Sequence, residues 1–158
     1  MSGPGARDHA ADDRAADDSA LRDLLARYAD AVTRQAPADV GALFAPDGVW
    51  TVTGYGEHHG PAAVEAFLDG LLANWLGIVH GLLSGTLEFD ADDVDRATGR
   101  WYITEFGQRS DGVELFFAGV YHDTYVRTPE GWRFATRRYD SLFRRIGGEV
   151  ATSPFPTI

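Results

Sequence analysis

The chain contains no cysteine and no lysine. The first absence excludes disulfides, thiolate nucleophiles and thiolate metal sites. The second excludes Schiff-base chemistry and leaves arginine as the only permanently cationic side chain. There is no stretch approaching the roughly 20 apolar residues of a membrane-spanning helix, and the first twenty residues lack the apolar run of a signal peptide. A cytoplasmic location is expected on those two grounds. Positive charge is also scarce, with 14 arginines against 24 carboxylates and a net charge of -10. An acidic chain without a basic stripe suits neither nucleic acid nor an anionic membrane, and neither is expected as a partner. No serine fits a nucleophile elbow, and no Gly-rich loop resembles a phosphate or dinucleotide site. Gly54-Tyr55-Gly56 lacks the third glycine and the following helix. No cofactor is expected.

What is present suits one packed domain. Hydrophobic residues make up 44% of the 158 positions and aromatics 12%, enough to bury a single core. Residues 1–19 are small and acidic without apolar periodicity and read as a disordered tail. The domain proper is expected over residues 20–146, and the Gly- and Pro-rich segment 147–158 as an irregular tail, with Phe155 and Ile158 available to fold back as a lid.

Within the domain the hydrophobic period changes once. Leu21, Leu24, Leu25, Tyr28, Ala31 and Val32 recur at helical spacing and predict a helix from about Leu21 to Gln35. Asp23 with Arg27 and Asp30 with Arg34 are i,i+4 pairs on its wet side. A short helix beginning near Pro37 and a third beginning at Pro61 follow, the latter with Val64, Phe67, Leu68, Leu71, Leu72 and Trp75 on its apolar face. Between them Val49–Thr53 and the brief return Glu57–His59 read as strands. His58 and His59 are adjacent on a strand and point to opposite faces, so they make no metal pair by themselves, and no metal site is expected. From Ile78 onward the period is two. Strands are predicted over Ile78–Phe89, Gly99–Arg109, Val113–Arg127 and Trp132–Phe143, separated by turn signals such as Ser110-Asp111-Gly112. Long antiparallel strands twist and curl, and helices packed into the concave face make a cup.

Three residues carry candidate chemistry. His80 opens the long sheet in apolar and small surroundings. Tyr28 lies on the buried stripe of the first helix, as a satisfied core tyrosine or as a hydrogen-bond donor to a pocket. Glu105 shares a face with Trp101 and Ile103. If that face is the inner one, Glu105 needs a partner, and pairing with His80 would fix the imidazole tautomer for acid–base work. If the other face is inner, Glu105 is in solvent. Trp50, Tyr55, Trp75, Tyr102, Phe117 and Tyr121 are candidate pocket walls. Arg137, Arg138, Arg144 and Arg145 are read as offsetting the acidic surface rather than as ligands for a carboxylate.

Arg27-Tyr28-Ala29-Asp30, Leu43-Phe44-Ala45-Pro46-Asp47-Gly48, His59-Gly60 before a helix, His80 and Gly131-Trp132-Arg133 together resemble the SnoaL-like branch of the nuclear transport factor 2-like superfamily over about residues 20–145. The resemblance implies an α+β cone: a curved antiparallel or mixed sheet of about six strands around three helices, with one apolar pocket. It also implies a homodimer or higher homo-oligomer. The run Ala97–Tyr102 followed by Glu105 looks similar to the bile-acid dehydratase group, with scytalone dehydratase more distant. In those enzymes a helix-one tyrosine, a histidine opening the third strand and an acid on the fourth are functional, and Tyr28, His80 and Glu105 match these positions. A helix-one aspartate of that group falls at Thr33, its late arginine at Ser141, and the catalytic aspartate of ketosteroid isomerases at Val52. The expectation is a cofactor-independent dehydratase (a lyase) of a small polycyclic or aromatic hydroxy-ketone, with His80 removing the proton, Tyr28 holding the enolate oxygen and Glu105 orienting His80. An isomerase or polyketide cyclase using the same enolisation, or a non-catalytic protein that binds a small hydrophobic molecule, are the alternatives.

Overall fold

The computed structural model describes residues 4–157, with side chains from residue 12 onward. Three helices, α1 (Pro4–Thr33), α2 (Pro37–Gly41) and α3 (Pro61–Leu72), accompany seven strands: β1 (Phe44–Val52), β2 (Gly56–His59), β3 (Trp75–Phe89), β4 (Arg96–Arg109), β5 (Glu114–Thr128), β6 (Gly131–Ile146) and β7 (Glu149–Thr152). The strands form one sheet in the order β2-β1-β6-β5-β4-β3, with β7 beside β6. Among the described residues only the β1–β6 pairing is parallel. The architecture is the expected α+β cone, a curved mixed sheet wrapped around the helices.

The apolar stripe of α1 (Leu21, Leu24, Leu25, Tyr28, Ala31, Val32) is buried. It forms one core with Val64, Leu68 and Leu72 of α3 and with Trp101, Ile103, Tyr121, Tyr125 and Phe134 on the concave face of the sheet. Asp23–Arg27 and Asp30–Arg34 are ion pairs at 2.9 and 2.7 Å on the exposed side, so Asp30 belongs to the solvated face.

The helix begins well upstream of Leu21, and the acidic segment through residue 19, expected as a disordered tail, is helical from Pro4. Alanine-rich sequence has high helix propensity, and the extension is tied to the sheet. Asp17 accepts hydrogen bonds from Arg127 Nη2 at 2.6 Å and Trp132 Nε1 at 3.1 Å, while the Arg14 guanidinium lies 4.3 Å from the Phe89 ring centre. Met1 to Gly3, the start of that expected tail, lie outside the described residues. The C-terminal expectation also changes. Gly147-Gly148 joins β6 to β7 as a two-residue hairpin, with Ile146 opposite Glu149 and Gly147 at φ +58°, a value glycine adopts without strain. Beyond β7, Phe155 sits against His122 and Arg100. Those residues alternate with the inward-facing Trp101 and Tyr121, so Phe155 lies on the convex face and not over the cup; Ile158, the other residue expected to fold back, lies outside the described residues.

Two irregularities set which side chains reach the interior. Thr124 pairs with Thr136 but Tyr125 pairs with Phe134, so Ala135 is an extra residue in β6. In β1 the register likewise shifts between Phe44 and Val49. Without the bulge, the alternation that buries Trp132 and Phe134 would turn Thr136 and Arg138 inward. With it, Arg137 and Tyr139 face the core.

Candidate active site in the cup

An apolar cavity of about 120 Å³ lies between α1, α3 and the concave face of the sheet. Tyr28 and Val32 come from α1, Phe67, Leu68, Leu71 and Leu72 from α3, and Glu105, Phe117, Tyr121 and Tyr139 from the long strands. Trp50, Tyr55, Trp75, Phe117 and Tyr121 also line it. Trp75 does so from the first position of β3 rather than from the third helix, and Tyr55 is exposed at the rim. Tyr102 does not line the cavity. It alternates with Trp101 and Ile103, whose burial marks the inner face, and so points to the convex side.

His80 and Glu105 are direct partners across β3 and β4. His80 Nδ1 and Glu105 Oε1 are 2.6 Å apart, a short charge-assisted hydrogen bond. The inner-face expectation for Glu105 therefore holds. The His80 backbone N–H donates to Thr33 Oγ1 at 3.0 Å, so the last residue of α1 fixes the strand that carries the histidine. The imidazole is not itself a wall residue of the cavity. It packs edge-on to Tyr28 with ring centres 5.5 Å apart and roughly parallel to Tyr121 at 5.9 Å.

The hydroxyls of Tyr28 and Tyr121 lie 3.2 Å apart. One donates to the other, so one proton of the pair stays free for a ligand. Burial pushes the Tyr28 phenol up to about 12, with the nearby Arg137 cation opposing the shift. Burial also raises Tyr121 well above the ordinary phenol value and raises Tyr139. All three are therefore protonated donors at neutral pH. Gly119 makes room for Tyr139: a Cβ there would stand 2.3 Å from the ring.

The buried cation behind this cluster was not anticipated. Arg137 Nε and Nη2 each donate to the Asp123 carboxylate at 2.9 Å. The guanidinium carbon lies 4.1, 3.8 and 4.1 Å from the ring centres of Tyr28, Tyr121 and Phe134. Burial alone would lower the arginine's pKa, but Asp123 outweighs it and the group is held above its ordinary value. Asp123 also accepts from Tyr125 Oη at 2.8 Å, and Tyr125 Oη accepts from Trp101 Nε1 at 2.9 Å. This reverses the surface reading of Arg137. The signal that could have found it is Asp123, an acid on the same face of β5 as Tyr121 and Tyr125 that requires a buried partner.

Among the described residues no cluster of three or more histidine, aspartate or glutamate side chains is arranged to hold a metal. His58 stacks on Phe67 at 3.8 Å while His59 pairs with Glu57 in solvent. Among the described residues no helix is long and apolar enough to cross a membrane.

The SnoaL-like domain family model matches residues 13–138. The chain belongs to the SnoaL-like domain family. A SnoaL-like cone accounts for the helices packed into the curved sheet. The chain is 25% identical over 128 residues to an uncharacterized protein of Mycobacterium tuberculosis, covering 80% of this chain and 86% of that one. A scytalone dehydratase-like protein of Novosphingobium aromaticivorans superposes with a TM-score of 0.81 at 18% identity, over 94% of this chain and 99% of the other. Hexachlorocyclohexane dehydrochlorinase LinA-type3 of Novosphingobium barchaimii superposes with a TM-score of 0.78 at 22% identity, over 90% and 97%. At these identities the two structures establish the shared SnoaL-like fold.

Proposed function

We propose that the protein is a cofactor-independent lyase that removes water from a compact cyclic hydroxy-ketone by enolisation. The observation that carries this reading is the 2.6 Å His80–Glu105 pair at the edge of an otherwise apolar cavity. An acid–base pair at the wall of an apolar cavity is suited to moving a proton to and from carbon. The free proton of the Tyr28–Tyr121 hydroxyl pair supplies a donor for the developing enolate oxygen, the kind of pre-aimed group that lowers such barriers most. Two neighbours of the same fold bear the names of elimination enzymes, a dehydratase and a dehydrochlorinase, which is in keeping with proton removal as the first step.

The cavity narrows the substrate. About 120 Å³ is of the order of the roughly 150 Å³ site that accepts benzene, so one ring of about six carbons fits and a polycyclic skeleton requires the cup to widen. The test is conversion of 3-hydroxycyclohexanone to cyclohexenone, followed by ultraviolet absorbance. Wild type accelerates the reaction, and the double variant His80→Gln/Glu105→Gln binds the ketone but loses at least about 100-fold in rate. Wild-type-like turnover in the double variant refutes the reading.

The same pair supports isomerisation or cyclisation, distinguished by a product of unchanged mass. A non-catalytic binding role is favoured by one feature, the Thr33 and Ser141 departures from the bile-acid dehydratase pattern. Retained ligand affinity with no conversion of any ketone selects it.

A further inference from the structure

The dyad places its two members unequally. The Glu105 side chain is 21% exposed and lines the cavity, whereas that of His80 is 1% exposed and is not a wall residue. The imidazole is hemmed in by Tyr28 and Tyr121, and its backbone is tied to Thr33. Glu105 Oε1 accepts the Nδ1–H of His80, and no described residue donates to Oε2. Oε2 is thus a carboxylate oxygen with free lone pairs on an apolar wall, held in place from behind.

We propose that Glu105 is the catalytic residue that takes the substrate proton and that His80 is a positioning residue acting through it. This rests on the enolisation reading above and reverses the roles expected from the sequence. Oε2 removes a hydrogen as a proton from the carbon next to the carbonyl. The C–H electron pair becomes the enolate C=C bond, and the carbonyl π pair moves to oxygen, where a tyrosine O–H meets it. When the carbonyl re-forms, the enolate pair makes the new C=C bond and expels the β-hydroxyl. The leaving oxygen takes the proton back from the Glu105 carboxyl and departs as water. A hydroxy-ketone yields an enone plus water, and Glu105 returns as carboxylate. His80 keeps one carboxylate oxygen engaged so that the other faces the substrate.

The experiment uses cyclohexanone in D2O, with exchange of its α-hydrogens followed by NMR, because exchange reports proton removal whether or not water is later lost. Glu105→Gln is expected to lose at least about 100-fold in exchange rate. His80→Gln is expected to retain a measurable fraction, about 5- to 20-fold below wild type, with its pH–rate profile displaced but still that of a single base. Formate restores exchange to Glu105→Ala in proportion to its concentration, which guards against a variant that is merely misfolded. The assignment is overturned if His80→Gln abolishes exchange while Glu105→Gln stays within about tenfold of wild type. It is equally overturned if imidazole rescues His80→Ala while formate leaves Glu105→Ala inactive. Wild-type protein that catalyses no exchange refutes the enolisation reading and this assignment with it. Exchange without loss of water from 3-hydroxycyclohexanone upholds the assignment and refutes only the dehydratase.

Discussion

Replacing Arg137 by methionine keeps much of the side-chain volume and removes the charge. Both partners of the Arg137–Asp123 pair are at most 1% exposed, so water cannot compensate the Asp123 carboxylate. In the variant that carboxylate keeps the Tyr125 hydroxyl at 2.8 Å and loses two hydrogen bonds at 2.9 Å. Breaking a buried pair from one side costs about 3–5 kcal/mol, a large fraction of the roughly 5–15 kcal/mol by which domains are stable. For a domain of this size the loss amounts to a fall in Tm of about 6–20 °C. Urea unfolding followed by tryptophan fluorescence, with calorimetry alongside, measures it. The double variant Arg137→Met/Asp123→Leu replaces the whole pair by apolar groups, which is often neutral or stabilising. It is expected to recover most of the loss. A single variant within about 1 kcal/mol of wild type, or a double variant no better than the single, refutes the view of Arg137 as a cation whose stability depends on Asp123.

Three further outcomes follow from the same geometry. Asp17→Asn tests the anchored start of α1. The Arg127 hydrogen bond, outweighing burial and aided by Trp132, holds Asp17 below its ordinary 3.8. Its stabilisation is therefore present above that value and lost as pH falls through the lower folded pKa. The variant should cost about 1 kcal/mol at pH 7, with the gap in urea midpoints closing in strong acid. In alkali, Tyr28, Tyr121, Tyr125 and Tyr139 are all raised by burial. Absorbance at 295 nm should show these four titrating above the ordinary tyrosine range while the fold persists. The stability they contribute is intact below about pH 10 and declines as pH rises toward the folded values, and four normal titrations in folded protein would contradict the burial. Finally, Gly119→Ala places a Cβ 2.3 Å from the Tyr139 ring and 2.7 Å from the Asp140 carbonyl oxygen. It is expected to cost about 1–3 kcal/mol and to weaken ketone binding through the displaced ring. An unchanged Tm would show that the ring moves freely.

What the sequence made legible and what it hid divide along one physical line. Properties that depend on alternation within an uninterrupted segment were readable. The stripe of α1, the inward turn of Trp101, Ile103 and Glu105, and the opposite facing of His58 and His59 all follow from a constant period. By the same rule Tyr102, between the buried Trp101 and Ile103, faces outward. Where an extra residue breaks the period, the reading failed. Ala135 shifts the second half of β6 by one position, and that shift carries Arg137 and Tyr139 inward. Nothing in Phe134-Ala135-Thr136 announces a bulge, because its partner irregularity lies in β1, some ninety residues earlier, at a Pro46-Asp47-Gly48 that reads as an ordinary turn. By contrast, Gly147-Gly148 between short alternating segments is a hairpin signal that composition obscured. The unequal exposure of His80 and Glu105 was hidden for a third reason. Facing strands place both on the interior side, but the imidazole alone is packed between the rings of Tyr28 and Tyr121, a contact that alternation does not reveal. Those rings are in turn seated on the guanidinium of Arg137. The bulge at Ala135, by turning Arg137 inward, thus supplies the cation on which the rings beside the imidazole are packed.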